Sequence, residues 1–230
     1  MAEGIDLRAK RLLTEEHFRG IPEGQTVWIG PRAIVTALAW DRARDLRLQV
    51  QRRGSDPAPV VAKVEPSDKY AAGLLAQPGD RVAVSCDHGA FEAKGPIIAV
   101  LKDLGFVVQD LGCHSTQAVD YPDLAERAAV LVAAGAVSAA VIMDGAGIGS
   151  CMVANKVPGV RAAMAYDLSS ARNSRDHNCA NVLTLGSRLV GPGLQEEIVR
   201  KFFGTPFGGG RHAARVQKID QVDERMGRQV

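Results

Sequence analysis

Ala139-Ala140-Val141-Ile142-Met143-Asp144-Gly145-Ala146-Gly147-Ile148-Gly149-Ser150-Cys151-Met152-Val153-Ala154-Asn155-Lys156 is the stretch that decides the fold of this chain. The apolar run from Ala139 to Met143 reads as a buried strand. Asp144 and the alternating glycines Gly145, Gly147 and Gly149 end it, and a helical pattern of small and apolar residues follows to Lys156. A strand, a glycine-rich turn and a helix N-terminus make an anion site. Glycine lets backbone N–H groups approach an oxyanion, and the helix dipole favours negative charge there. Asp144 falls at the carboxyl end of its strand, where open α/β sheets carry their chemistry. The spacing is not the dinucleotide fingerprint, and no Gly-Lys-Ser/Thr follows as in a Walker loop. A tight turn without a ligand has the same pattern, so the loop alone does not establish a site.

Outward from this stretch the pattern is regular. Arg81–Ser85, Phe106–Asp110, Ala139–Met143, Ala162–Tyr166 and Val182–Leu185 read as strands. Phe91–Leu104, Tyr121–Ala134, Ser169–Asn178 and Gly193–Phe203 read as helices between or after them. Alternation of this kind predicts a five-stranded parallel sheet flanked by helices, a Rossmann-like three-layer α/β sandwich spanning residues 80–230. From Arg211 a polar helix closes the chain, with no evident core stripe, and such an extension often packs on another subunit.

Upstream, residues 1–53 read as a small N-terminal extension. Leu7, Leu12, Leu13 and Phe18 give Asp6–Arg19 the stripe of an amphipathic helix. Gln25–Ile29 reads as a strand, Thr36 caps a helix through Asp45, and Leu48–Val50 reads as another strand. A short amphipathic terminal helix suits a docking module. Residues 54–79, punctuated by Pro57, Pro59, Pro66 and Pro78, read as a linker.

The totals exclude several classes. A chain of 230 residues with 46% hydrophobic and 23% charged residues is ordinary for a globular protein. A formal net charge of +2 argues against a nucleic-acid binder. No apolar run is long enough for a bilayer, and the N-terminus has no signal-peptide core. Cys86, Cys113, Cys151 and Cys179 are scattered without a CxxC pair, which points away from zinc or disulfides and towards a cytoplasmic setting.

Further candidates gather around the sheet. Asp87-His88 follows the first strand of the α/β portion and Asp144 the third. His177-Asn178 and Asn181 flank the start of the fifth, and these groups are expected to share one sheet edge. Arg211 and Arg215, four apart on a helix, present two guanidinium groups in one direction, which suits a phosphate. Each feature has an ordinary structural explanation taken singly. Together they describe a phosphorylated small molecule held by glycine amides, histidine and arginine.

Residues 81–225 resemble the type B ribose-5-phosphate isomerase family, which includes galactose-6-phosphate isomerase subunits. The motifs that carry the resemblance are Ser85-Cys-Asp-His-Gly-Ala-Phe91, Asp120-Tyr-Pro122, Gly145-Ala-Gly-Ile-Gly149 with Ala154-Asn-Lys156, Ser174-Arg-Asp-His-Asn178, Gly186-Ser-Arg188, and Gly209-Gly-Arg-His212 with Arg215. The resemblance implies aldose–ketose isomerisation of ribose 5-phosphate and ribulose 5-phosphate through an enediolate, with no metal and no cofactor. It implies a homodimer, or a tetramer of two paired dimers, with active sites shared between subunits. Asp87 would contact sugar hydroxyls, and His88, Arg211 and Arg215 the phosphate. His177 would open the sugar ring, Tyr121 would shape the pocket, and Asn178 with the amides of Gly145, Gly147 and Gly149 would bind substrate oxygens. Many members of that family carry a cysteine base at the position of Asp144, and others a glutamate at that of Ser150, so Asp144 is the acid–base group left in this loop. A tetrose or hexose phosphate substrate, and a sugar-phosphate-binding protein without catalysis, stay open. Leu12-Leu-Thr-Glu15 and Val35-Thr-Ala-Leu-Ala-Trp-Asp-Arg-Ala-Arg44 resemble N-terminal elements of bacterial microcompartment enzymes. That implies a shell or core partner and a location in a microcompartment within the cytoplasm.

Overall fold

The computed structural model describes residues 4–31, 33–53, 73 and 75–226. The chain divides into two compact units, Met1–Val64 and Glu65–Val230. Most of the stretch read as a linker, 54–79, lies outside the described residues.

The first unit contains β1 (Ile5–Leu7), β2 (Leu12–Leu13), β3 (Thr26–Ile29), β4 (Ile34–Val35), α1 (Ala37–Asp45) and β5 (Gln49–Arg52). Strands β1, β3 and β5 form one sheet, and β2 pairs with β4. The amphipathic helix expected over Asp6–Arg19 is absent. Its residues supply two short strands and a 3-10 turn at Glu15–Phe18. Asp6 accepts a bond from the Arg8 backbone N–H at 3.0 Å, a local turn that competes with helix. The apolar residues of the supposed stripe enter a core instead: Leu13 and Phe18 are buried with Val27, Ile29 and Ala39. The capping role of Thr36 holds, since its side chain accepts from Ala39 N at 3.2 Å.

The second unit is the expected α/β sandwich. Its strands are β6 (Arg81–Cys86), β7 (Val107–Asp110), β8 (Ala139–Asp144), β9 (Ala162–Met164) and β10 (Val182–Gly186). They form one parallel sheet in the order β7-β6-β8-β10-β9. All six residues of β8 are buried, which explains its unbroken apolar run. The helices are α2 (Phe91–Asp103), α3 (Tyr121–Ala133), α4 (Ile148–Ala154), α5 (Leu168–Asp176), α6 (Pro192–Gly204) and α7 (Arg211–Met226). Helices α2, α5 and α6 pack together on one face, and α3 with α4 on the other. From β6 the chain moves outward to β7, and from β8 it moves the opposite way to β9. The carboxyl ends of β6 and β8 therefore flank the switch point of the sheet.

Helix α7 is anchored on its own unit. Val216 is buried, Asp220 takes Arg161 Nη1 at 2.9 Å in a pair nearly closed to solvent, and Asp223 accepts Gly159 N at 2.8 Å. Removing one member of such a pair leaves a buried charge alone. Asp220→Ala is therefore expected to lower stability by about 3–5 kcal/mol in urea unfolding, and Arg161→Met with Asp220→Leu by much less.

Candidate active site

Asp144 ends β8 and is 5% exposed. One carboxylate oxygen, Oδ1, accepts from Ala146 N at 2.7 Å and from Gly147 N. The other, Oδ2, accepts from Ser150 N at 3.0 Å and from the Ser150 hydroxyl. Burial pushes its pKa up, but the bonds from Ser150, Gly147 and Ala146 together outweigh burial and hold it below the ordinary carboxylate range. The carboxylate is thus ionised and a weak base.

The loop closes tightly because its glycines permit it. Gly147 has φ +78, and a Cβ there would lie 2.8 Å from the Leu185 carbonyl carbon. A Cβ on Gly149 would lie 2.6 Å from Cζ of Tyr121, whose ring covers this position from the start of α3. Thr184 Oγ1 donates to Gly147 O at 2.8 Å, tying the loop to β10. Gly147, expected to offer its amide to substrate, gives it to Asp144. Among the described residues the amides of Gly145, Ile148 and Gly149 have no acceptor. They are the donors left for an oxyanion at this helix N-terminus.

Asp87 and His88 stand beside the loop. Asp87 N donates to Met143 O at 3.0 Å, and Asp87 Oδ1 accepts from Ala90 N at 3.1 Å. His88 Nδ1 accepts from Val119 N at 3.3 Å, which leaves the ring proton of the neutral tautomer on Nε2 as a donor. Cys86, one residue earlier, is no candidate base: burial and its contact with Cys113 push its pKa up to about 12. Arg188 is a residue to which sequence reasoning gave no role. Its backbone N donates to Gly145 O at 3.0 Å, and its side chain lies 3.6 Å from where a Gly145 Cβ would stand and 3.4 Å from the same point on Gly89. The signal for it was the Gly186-Ser-Arg188 motif directly after a sheet strand.

The remaining candidates do not join this group. Asp144 pairs with Gly186 at the end of β10, whereas Asn181 O accepts from Ala140 N before β10 begins. His177 and Asn178 lie at that amino edge, because α5 carries the chain back from the carboxyl edge. The expectation that all candidates share one edge is therefore corrected: about 13 Å of strand separates the two groups. At the amino edge His177 stacks on His212 with ring centroids 4.2 Å apart. Burial, then His177, Arg211 and Arg215, lower the pKa of His212. Asn178 donates to Asn173 Oδ1 at 3.1 Å, and Arg211 Nε to His212 Nε2 at 3.5 Å. Each edge thus carries one group of the candidate residues. Beside the Asp144 loop, Ile148 and Met152 are 46% and 63% exposed, an apolar surface that none of the described residues covers.

No group of three or more His, Cys, Asp or Glu among the described residues is arranged to hold a metal. No described helix is long and apolar enough to cross a membrane.

Comparison with known proteins gives a consistent result. Residues 82–219 match the family described as Ribose/Galactose Isomerase. The chain is 40% identical to ribose-5-phosphate isomerase B of Escherichia coli over 145 residues, 63% of this chain and 97% of that protein. It is 37% identical to D-erythrulose-4-phosphate isomerase of Pectobacterium atrosepticum over 139 residues, 60% of this chain and 91% of that protein. The solved structure of Clostridium thermocellum ribose-5-phosphate isomerase B aligns with a TM-score of 0.62 at 40% identity, covering 64% of this chain and 99% of that one.

Because the folded-state pKa of Asp144 is lowered, its ionised form stabilises the fold above the unfolded-state value, and this is lost as pH falls through the folded value. Asp144→Asn presents an amide where Ser150 needs an acceptor. At neutral pH it is expected to cost about 1–3 kcal/mol in denaturant melts. The gap to wild type narrows as acid protonates Asp144.

Proposed function

Since the chain belongs to the ribose/galactose isomerase family, we propose that it interconverts ribose 5-phosphate and ribulose 5-phosphate, with Asp144 as the base that moves the proton between C2 and C1. The family relation makes it a sugar-phosphate isomerase, an intramolecular oxidoreductase. The observation that carries the finer reading is the pairing of an ionised, nearly buried Asp144 with the unoccupied amides of Gly145, Ile148 and Gly149 at the switch point of the sheet.

In this reading Asp144 takes the C2 proton of the open-chain aldose. The C–H bonding pair enters the C1–C2 bond, and charge moves to O1. The three amides stabilise that enediolate, and the proton returns to C1 while a second proton passes from O2 to O1. Donors aimed at the oxyanion are a large share of the catalysis, which lets a weak carboxylate base serve. Asp87 holds sugar hydroxyls, Tyr121 closes the pocket over Gly149, and His88 with Arg188 faces the phosphate.

A second copy of the chain completes the site. His177, Asn178, Arg211 and Arg215 stand at the other sheet edge, so a symmetric pair brings the Asp144 edge of one protomer to the His177 edge of its partner. The exposed Ile148 and Met152 beside the loop support such a contact. His177 then opens the furanose ring, and the two arginines bind phosphate. Docking of residues 1–53 on a microcompartment shell or core protein rests on the resemblance of that segment, without a terminal helix to support it. A tetrose phosphate is the second substrate reading, favoured by the similarity to D-erythrulose-4-phosphate isomerase.

Asp144→Asn is expected to slow exchange of the C2 proton of ribose 5-phosphate into deuterated water by about 10²–10⁴-fold, with binding retained. Unchanged exchange would remove Asp144 as base, and a wild type that exchanges only erythrose 4-phosphate would move the reading to the tetrose. Coexpressed Asp144→Asn and His177→Ala chains, each impaired alone, are expected to regain about one quarter of wild-type turnover. Random pairing makes half of the dimers mixed, and each mixed dimer keeps one intact site. No recovery would place both residues in a single-chain site.

A further inference from the structure

The carboxylate of Asp144 has about four acceptor positions, and four donors occupy them: Ala146 N, Gly147 N, Ser150 N and the Ser150 hydroxyl. A base needs a lone pair open to the incoming proton. Three of the donors are backbone amides, set by the left-handed turn at Gly147 and the first turn of α4. They leave only if the loop refolds. The Ser150 hydroxyl leaves by rotating about one side-chain torsion. Ser150 is 1% exposed, so water does not compete for that hydroxyl.

We propose that Ser150 is a positioning residue whose hydroxyl holds an Oδ2 lone pair of Asp144 between turnovers and releases it to the substrate proton. The inference rests on the reading of Asp144 as base. When the hydroxyl turns away, Oδ2 forms an O–H bond as the C2–H bond breaks, and the pair enters the enediolate. Return of that proton to C1 lets the hydroxyl swing back. The arrangement keeps the carboxylate ionised and aimed when no sugar is bound, and makes it more basic when one is. It also gives a physical reason for a serine at this position once the base is an aspartate: a residue without a donor would leave an Oδ2 lone pair buried and unmatched.

The other charged and titratable groups on the surrounding elements include Arg188 after β10, Arg81, Cys86, Asp87 and His88 on or after β6, Tyr121, Asp123, Glu126 and Arg127 on α3, and Cys151 on α4. The four donors to Asp144 named above come from none of these groups.

The test uses the full chain with Ser150→Ala and the conservative Ser150→Thr. The Asp144 side-chain carboxyl is followed by ¹³C NMR, and kcat/KM for ribose 5-phosphate is followed against pH. Ser150→Ala is expected to raise both the carboxyl midpoint and the acid limb of kcat/KM by about one pH unit, and Ser150→Thr to restore both. With saturating ribose 5-phosphate the wild-type and Ser150→Ala midpoints are expected to coincide, because the hydroxyl has already left. An unmoved midpoint in Ser150→Ala overturns the proposal. So does a moved midpoint with an unmoved acid limb, or a gap that persists with substrate bound. If Ser150→Ala does not fold, Ser150→Cys is expected to shift the midpoint the same way by less, since a thiol is a weaker donor, and an unmoved midpoint there overturns it equally. The NMR midpoint is independent of turnover. Loss of the base reading shows separately, as exchange that survives in Asp144→Asn, and takes the proposal with it.

Discussion

A carboxylate almost closed off from water must find donors, and Asp144 finds them by drawing the next six residues around itself. Much of the carboxyl edge follows from that closure. The turn at Gly147 takes its left-handed form, α4 begins at Ile148, and the amides of Gly145, Ile148 and Gly149 are not among the donors to Asp144. Glycine is required at Gly147 by the backbone of β10 and at Gly149 by the ring of Tyr121. The loop is therefore organised from within by one anion.

A second constraint comes from the parallel sheet. Each crossover helix returns the chain from the carboxyl edge to the amino edge, so residues at a helix end and at a strand end are kept apart by the length of the strands. His177, Asn178 and the arginines of α7 fall on the side away from Asp144 for that reason. The ion pair of Arg161 with Asp220 fixes α7, and with it Arg211 and Arg215, to that side. The two groups of candidate residues therefore stand on opposite edges of the sheet, and one chain does not bring them together.

The first unit shows where pattern reading goes astray. Leu7, Leu12, Leu13 and Phe18 fit a helical stripe, yet the segment is too short for helix to hold without tertiary support. Parallel pairing of Leu12–Leu13 with Ile34–Val35 buries Leu13, and Asp6 turns the chain at Arg8. Partners about twenty residues away decided the outcome, and a local window does not contain them. By contrast, Thr36 caps its helix as read, because a cap is a contact between neighbours in sequence.

The sequence alone determined the α/β alternation, the five strands of the sheet and the loop that begins at Asp144. Their signals are periodic or local: a buried parallel strand must be apolar throughout, and a strand-to-helix turn this tight needs glycine. Family membership was legible for the same reason, since its motifs are short and lie in order along the chain. Tertiary structure alone decided the rest. It set Asp144 below the ordinary carboxylate range by adding four donors against the effect of burial, a balance of opposing terms that no spacing reveals. It placed Arg188 against the glycine loop, brought Ser150 onto Asp144, and put His177 on the far edge. Those relations depend on which residues meet across strands and loops, and only the folded chain fixes that.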